Sequence, residues 1–182
     1  MRSNRHRRIL FVTCSFAVAL ALAAGAPIGA QKREDDGGRA SKNGLTEGKI
    51  GGADVKITYG RPKVKERTIW GNLVPYSKVW RAGADEATTV TFSQAVRVEG
   101  QAVPAGTYAL FFIPEKDEWT VILNKVPQQW GAFRYDEKQD LLRAKVKPMA
   151  SDAPVEELTY EVADDKIVLK WEKVAIPVTV TS

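Results

Sequence analysis

From Val55 onward the chain alternates apolar and polar residues with a period of two. Val55, Ile57 and Tyr59 alternate with Lys56 and Thr58. Leu142, Ala144 and Val146 alternate with Arg143, Lys145 and Lys147, and Leu158, Tyr160 and Val162 with Thr159 and Glu161. Ile167, Leu169 and Trp171 follow a two-acid turn, Asp164-Asp165, and alternate with Lys170 and Glu172. Successive side chains on a strand point to opposite faces, so each run reads as a half-buried β-strand. Trp119, Val121 and Leu123 repeat the pattern, and residues 88–92 and 96–99 are shorter strands. Residues 107–113, TYALFFI, are apolar on both faces and are predicted to lie centrally in a sheet.

Turn chemistry separates these runs. Glu99-Gly100-Gln101 predicts a hairpin, with glycine supplying the positive backbone angle. Gly60-Arg61-Pro62 and Pro104-Ala105-Gly106 break the pattern, residues 114–117 form a turn, and residues 148–154 read as a loop. A last strand holds Ile176, Val178 and Val180, and Pro177 in it predicts a sheet edge. No segment sustains a helical period, and the one candidate helix, at residues 136–142, is short. About nine or ten short strands at regular spacing predict an all-β fold, an antiparallel β-sandwich of jelly-roll-like type.

The start of the chain differs. A basic opening, MRSNRHRR, precedes an apolar run over residues 9–24 and small residues up to Ala30. This order of basic, apolar and small segments is that of a secretory signal peptide. The run is shorter than the about 20 apolar residues that a membrane span needs. The expected organisation is therefore a signal peptide over 1–30, cut after Ala30, a flexible linker over 31–50 and a β-sandwich domain over 51–182. An uncleaved anchor is the alternative. The linker assignment rests on QKREDDGGRASKNGLTEGKI, which mixes both charges with glycine and has few apolar side chains. The expected destination is the periplasm or the exterior, with no stable membrane span after cleavage.

Removing the leader changes the chemistry. The formal charge of +5 falls to +1, because four of 27 basic residues and none of 22 acidic ones lie in residues 1–30. A near-neutral domain lacks the broad positive field that nucleic acids select. The only cysteine, Cys14, and the only histidine, His6, leave with the leader. The mature domain would then have no disulfide, no serine–histidine or cysteine–histidine catalysis and no nitrogen/sulfur zinc site. No cofactor or metal motif is present: phosphate-binding glycine loops and calcium loops are missing. Adjacent acids recur at Asp85-Glu86, Asp117-Glu118, Asp136-Glu137, Glu156-Glu157 and Asp164-Asp165, mostly beside turns, where carboxylates help to form the bend.

One stretch holds side chains that strand formation does not need. Residues 57–92 carry Arg61, Trp70, Tyr76, Trp80, Arg81 and Glu86, with Lys65 and Arg67 close by. Aromatic faces beside guanidinium groups suit a sugar ring, a carboxylate or a flat ligand. These six residues are the candidate site for a small anionic or glycan ligand. The structural alternative has Trp70 and Trp80 capping the sandwich, with Arg81 paired to Glu86. A second aromatic and basic loop, Trp130, Phe133, Arg134 and Tyr135, approaches the first if the sandwich ends align. Trp119 and Trp171 sit in strand alternation and read as core. Two other functions stand beside ligand binding. One is a hydrolase with Glu86 as acid or base and Arg61 and Arg81 stabilising negative charge. The other is a structural or assembly protein of the envelope. Ligand identity, enzymatic status and oligomeric state stay open.

The segments YGRPKVKERTIWGNLVPYSKVWRAGADEATTVTFS, VPAGTYALFFIP, EWTVILNKVPQQWGAFRYDEKQDLLRAKVKP and LTYEV with IVLKWEK occur in this order. Together they resemble a bacterial family known as domain of unknown function 2911, over roughly residues 55–180. Ser77 stands where that family usually has glycine. The resemblance implies a secreted or periplasmic all-β protein and brings no established activity.

Overall fold

The computed structural model describes Arg33 and residues 37–182. The expected signal peptide lies outside the described residues. Ten strands and one short 3-10 turn form two antiparallel sheets, the sandwich that the alternation predicts. The first sheet has the order β1-β2-β3-β6-β7-β8: β1 (Lys42–Ile50), β2 (Ala53–Arg61), β3 (Thr88–Phe92), β6 (Gly106–Ile113), β7 (Trp119–Asn124) and β8 (Asp140–Val146). The second has the order β5-β4-β10-β9: β4 (Val96–Val98), β5 (Gln101–Val103), β9 (Met149–Ala163) and β10 (Lys166–Thr181). Most neighbours follow sequence order, and the β4–β5 hairpin is the one excursion to the opposite sheet between β3 and β6. Its two-residue loop, Glu99-Gly100, has positive φ at both positions, 47° and 77°. The core lies between the sheets and includes Ile57, Phe92, Phe112, Val121, Leu169 and Ile176, all nearly inaccessible. Among the described residues no helix is long and apolar enough to cross a membrane.

Three expectations need correction. Residues 42–50, expected in the flexible linker, form β1, which pairs with β2 along its whole length. Gly44 and Gly48 were read as flexibility, but their role is close approach. A Cβ on Gly44 would sit 2.5 Å from the Tyr59 ring, and one on Gly48 would sit 2.6 Å from the Val162 side chain. Residues 148–154, expected as a loop, mostly belong to β9, a 15-residue strand whose bulged pairing with β10 hides the alternation. Pro177, expected at a sheet edge, lies inside the interior strand β10. It is tolerated because it falls between two ladders: β10 pairs with β9 up to Ala175 and with β4 from Val180. No partner needs the amide that proline lacks.

Candidate functional site

The connection from β2 to β3, residues 62–87, builds one end of the sandwich. Pro62 stops β2, and the chain crosses to β9. Leu158 N donates to Pro62 O at 3.0 Å, Val64 N donates to Glu156 O at 2.8 Å, and Lys63 bridges Glu157. The chain then turns through Lys65 and Glu66, both left-handed at φ 48° and 58°. Arg67 closes this turn by donating from Nε to Val64 O at 3.0 Å, and it also donates to Lys63 O. A second turn, over residues 69–74, buries Ile69 and Val74 and is closed by Val74 N donating to Ile69 O at 2.9 Å. Trp80 next takes the place beside β6 that β3 vacates, exchanging backbone hydrogen bonds of 2.7 and 2.9 Å with Phe112.

A tight turn follows at residues 82–86. Ala82 and Asp85 have φ of 57° and 62°. Such conformations are costly for residues other than glycine and persist where the surroundings enforce them. Here the Ala82 carbonyl accepts from Thr88 Oγ1 at 2.9 Å and from the buried Tyr160 hydroxyl at 2.8 Å. Burial, together with the neighbouring Tyr59, raises the Tyr160 pKa well above its usual range, so this hydroxyl stays a donor. The turn also needs Gly60 beneath it, since a Cβ there would meet Ala84 O at 2.3 Å.

Four of the five tryptophans form a quartet. Trp80 and Trp171 stack at 6.0 Å and 14°. Trp70 meets Trp80, Trp119 and Trp171 edge-on at 5.8, 4.9 and 5.7 Å. Trp119 and Trp171 are core, as the alternation predicts, and Trp80 is 8% exposed. Trp80, Trp119 and Trp171 are thus spent mainly on one another and on Trp70, which leaves little indole face in this quartet for a sugar ring to stack on.

A cleft of about 250 Å³ lies beside the quartet. Trp80 and Trp171 contribute to its floor, and Arg81, Lys63, Lys65 and Arg67 bring positive charge against the carboxylate of Asp85. Ala40 and Ser41 complete the wall. Of the six residues expected to form a site, Trp80 and Arg81 line this cleft. The other four do not. Arg61 ion-pairs with Glu157 at 3.0 Å. Trp70 is half-buried in the quartet. Tyr76 borders a separate shallow depression with Glu115, Asp117 and Lys145.

Glu86 is 2% exposed, and its partner is not Arg81. Arg39 grips it with two hydrogen bonds, Nη1 to Oε2 and Nη2 to Oε1, both 2.6 Å. Arg33 adds an ion pair at 3.2 Å and donates to Ala84 O at 2.8 Å and Glu86 O at 3.3 Å. The hydrogen bonds from Arg39 outweigh burial, and the Arg33 charge helps, so the Glu86 pKa is held at about 2. A carboxylate so held is a weak base and is charged at neutral pH, which suits a lock better than proton transfer.

Arg81 is less well served. Burial pushes its pKa down, and Asp85 is the counter-charge that offsets this. It makes no ion pair among the described residues, and its Nε is buried without an acceptor. The indole N–H of Trp171 is likewise buried and unpartnered. A buried donor without a partner costs free energy that a water or ligand recovers. No three His, Cys, Asp or Glu side chains gather into a metal-binding group among the described residues.

The structure brings the second aromatic loop alongside the first. Glu86 bridges Trp130, Gly131 N donates to Asp85 O at 3.0 Å, and Ala87 N donates to Gln129 O at 3.0 Å. The loop's far end is pinned by Tyr135, whose hydroxyl donates to Asp140 Oδ2 at 2.5 Å, and by Arg143, whose Nε donates to the same oxygen at 2.6 Å. Trp130 and Phe133 stay exposed.

Sequence reasoning missed Arg33 and Arg39, because both sit in the segment read as a tether. Lys63 was also missed, although it is the first cation after the Pro62 break. With the geometry in place, comparison with known proteins gives one match. The chain belongs to the family described as "Protein of unknown function (DUF2911)", whose model covers residues 41–180. No curated protein and no solved structure was found to match.

Proposed function

We propose that this DUF2911 protein is an exported binding protein for a small anion, held in the cleft beside Arg81. The observation that carries the reading is a half-buried guanidinium without an ion pair, in a hollow bordered by three more cationic side chains and one carboxylate. A buried positive charge with too little compensation gains when an anion enters. Arg81 supplies a planar fork of donors suited to carboxylate or phosphoryl oxygens. The glycan alternative loses support at this cleft because Trp80 and Trp171, the indoles that border it, are buried and stacked on each other. The hydrolase alternative loses support because Glu86 is locked by Arg39 and lies outside the cleft lining. Export rests on the leader-like first 30 residues.

The test is an anion titration followed by tryptophan fluorescence, since Trp80 and Trp171 border the cleft. Saturable quenching or enhancement is expected with small carboxylates or phosphates in the wild type, and none in Arg81→Gln. Equal responses in the two proteins would place any binding elsewhere.

A further inference from the structure

The charges around the cleft say more about the ligand, on the premise that the cleft is an anion site. Arg67 is turned onto the carbonyls of Val64 and Lys63, so it holds its own loop in shape. Lys63 and Lys65 differ. Both border the cleft, and neither ammonium group makes an ion pair among the described residues. Their backbone is fixed: Lys63 bridges Glu157, and Lys65 N donates to Glu156 Oε1 at 3.0 Å. The two successive left-handed residues, Lys65 and Glu66, are a costly conformation maintained at the rim.

We propose that the cleft takes a phosphate monoester dianion in preference to a carboxylate. A monocarboxylate answers one charge, that of Arg81, and leaves both lysines unpaired. A phosphate ester carries between about one and a half and two negative charges near neutral pH and three acceptor oxygens. One guanidinium fork and two compact ammonium charges offer a donor to each of its oxygens, and with the Asp85 carboxylate subtracted their three charges leave two, which match the dianion. The hollow of about 250 Å³ equals roughly eight water volumes, room for a phosphoryl head and a small organic body. A nucleic-acid backbone would need a longer positive track than one turn supplies.

The test compares phenyl phosphate with benzoate on the full mature chain by isothermal titration calorimetry. Phenyl phosphate is expected to bind about tenfold or more tightly near neutral pH, because two further charge contacts are engaged. Its affinity is expected to fall as the buffer is taken below about pH 6, where the dianion takes up one proton and becomes a monoanion, while that of benzoate holds. Lys63→Ala/Lys65→Ala, at exposed positions that leave the core intact, should bring the two ligands within about threefold of each other. Equal binding of both ligands in the wild type, lost together in Arg81→Gln, would overturn the phosphate assignment and leave the anion site standing. Binding of neither ligand would overturn both.

Discussion

Neutralising Glu86 by Glu86→Gln is expected to remove a stretch of acid sensitivity from the fold. In the native protein its pKa is held at about 2, against an ordinary 4.5, first by the Arg39 hydrogen bonds. A carboxyl whose folded pKa is depressed is protonated first in the unfolded chain. Its stabilisation is therefore complete above about pH 4.5 and is lost as pH falls towards about 2. The difference of about two and a half pKa values corresponds to roughly 3 kcal/mol. The side chain is 2% exposed, so solvent screening removes little of this. Urea denaturation at a series of pH values from 6 to 2 measures it, with wild type and Glu86→Gln side by side. At pH 6 the variant is expected to be less stable by about 3–5 kcal/mol, because Arg33 and Arg39 lose the buried carboxylate between them. The gap should narrow by roughly 3 kcal/mol across the acid window. Parallel curves, with a constant gap down to pH 2, would show that Glu86 is not held by this lock.

A chain starting at Ser41, the first residue matched by the family model, lacks Arg33 and Arg39 and strands Glu86 without its partners. It is expected to unfold about 3 kcal/mol more easily than one starting at Gln31, and to recover part of the loss with Glu86→Gln, as read by urea midpoints. Gly48→Ala should cost about 1–3 kcal/mol by the same assay, since its Cβ would meet Val162 at 2.6 Å. Trp80→Ala opens the quartet and is expected to cost about 3–5 kcal/mol, with a lower thermal midpoint in calorimetry. N-terminal sequencing of protein secreted by a bacterial host is expected to begin at Gln31. A start at Met1 would point to an uncleaved anchor.

Much of the sheet structure was legible because half-buried strands write their burial directly into alternation. Asp164 and Gly100, residues that tolerate positive φ, mark the turn before β10 and the β4–β5 hairpin. β1 escaped because Ile50 is its one buried apolar side chain, and the other inward positions, Gly44, Thr46 and Gly48, leave no apolar mark. A signal was nonetheless there: Gly51-Gly52 is a two-residue hairpin loop directly before a strand, which implies a partner on its other side. The site was legible as a region and not as pairings. Aromatic and basic residues in one stretch mark an unusual loop, but which arginine reaches Glu86 depends on chain crossings tens of residues apart. Arg39 lies 47 residues from Glu86, and that separation leaves no local pattern.

The two acids of the 82–86 turn face different partners, one inside the fold and one at the cleft. Glu86 points inward and holds Arg39 and Arg33, which fastens the segment before β1 and sets Ala40 and Ser41 as cleft wall. Asp85 lines the cleft, where it is the counter-charge to Arg81 and stands 3.8 Å from Arg39. Among the described residues, Arg33 and Arg39 ion-pair with Glu86, and Arg81 makes no ion pair. Had Glu86 paired with Arg81, the cleft would keep the charges of Lys63, Lys65 and Arg67 but lose Arg81 as a guanidinium without an ion pair. The strained turn enforced by Tyr160, Thr88 and Gly60 keeps these two adjacent acids on different partners, which leaves Arg81 available to the anion proposed for the cleft.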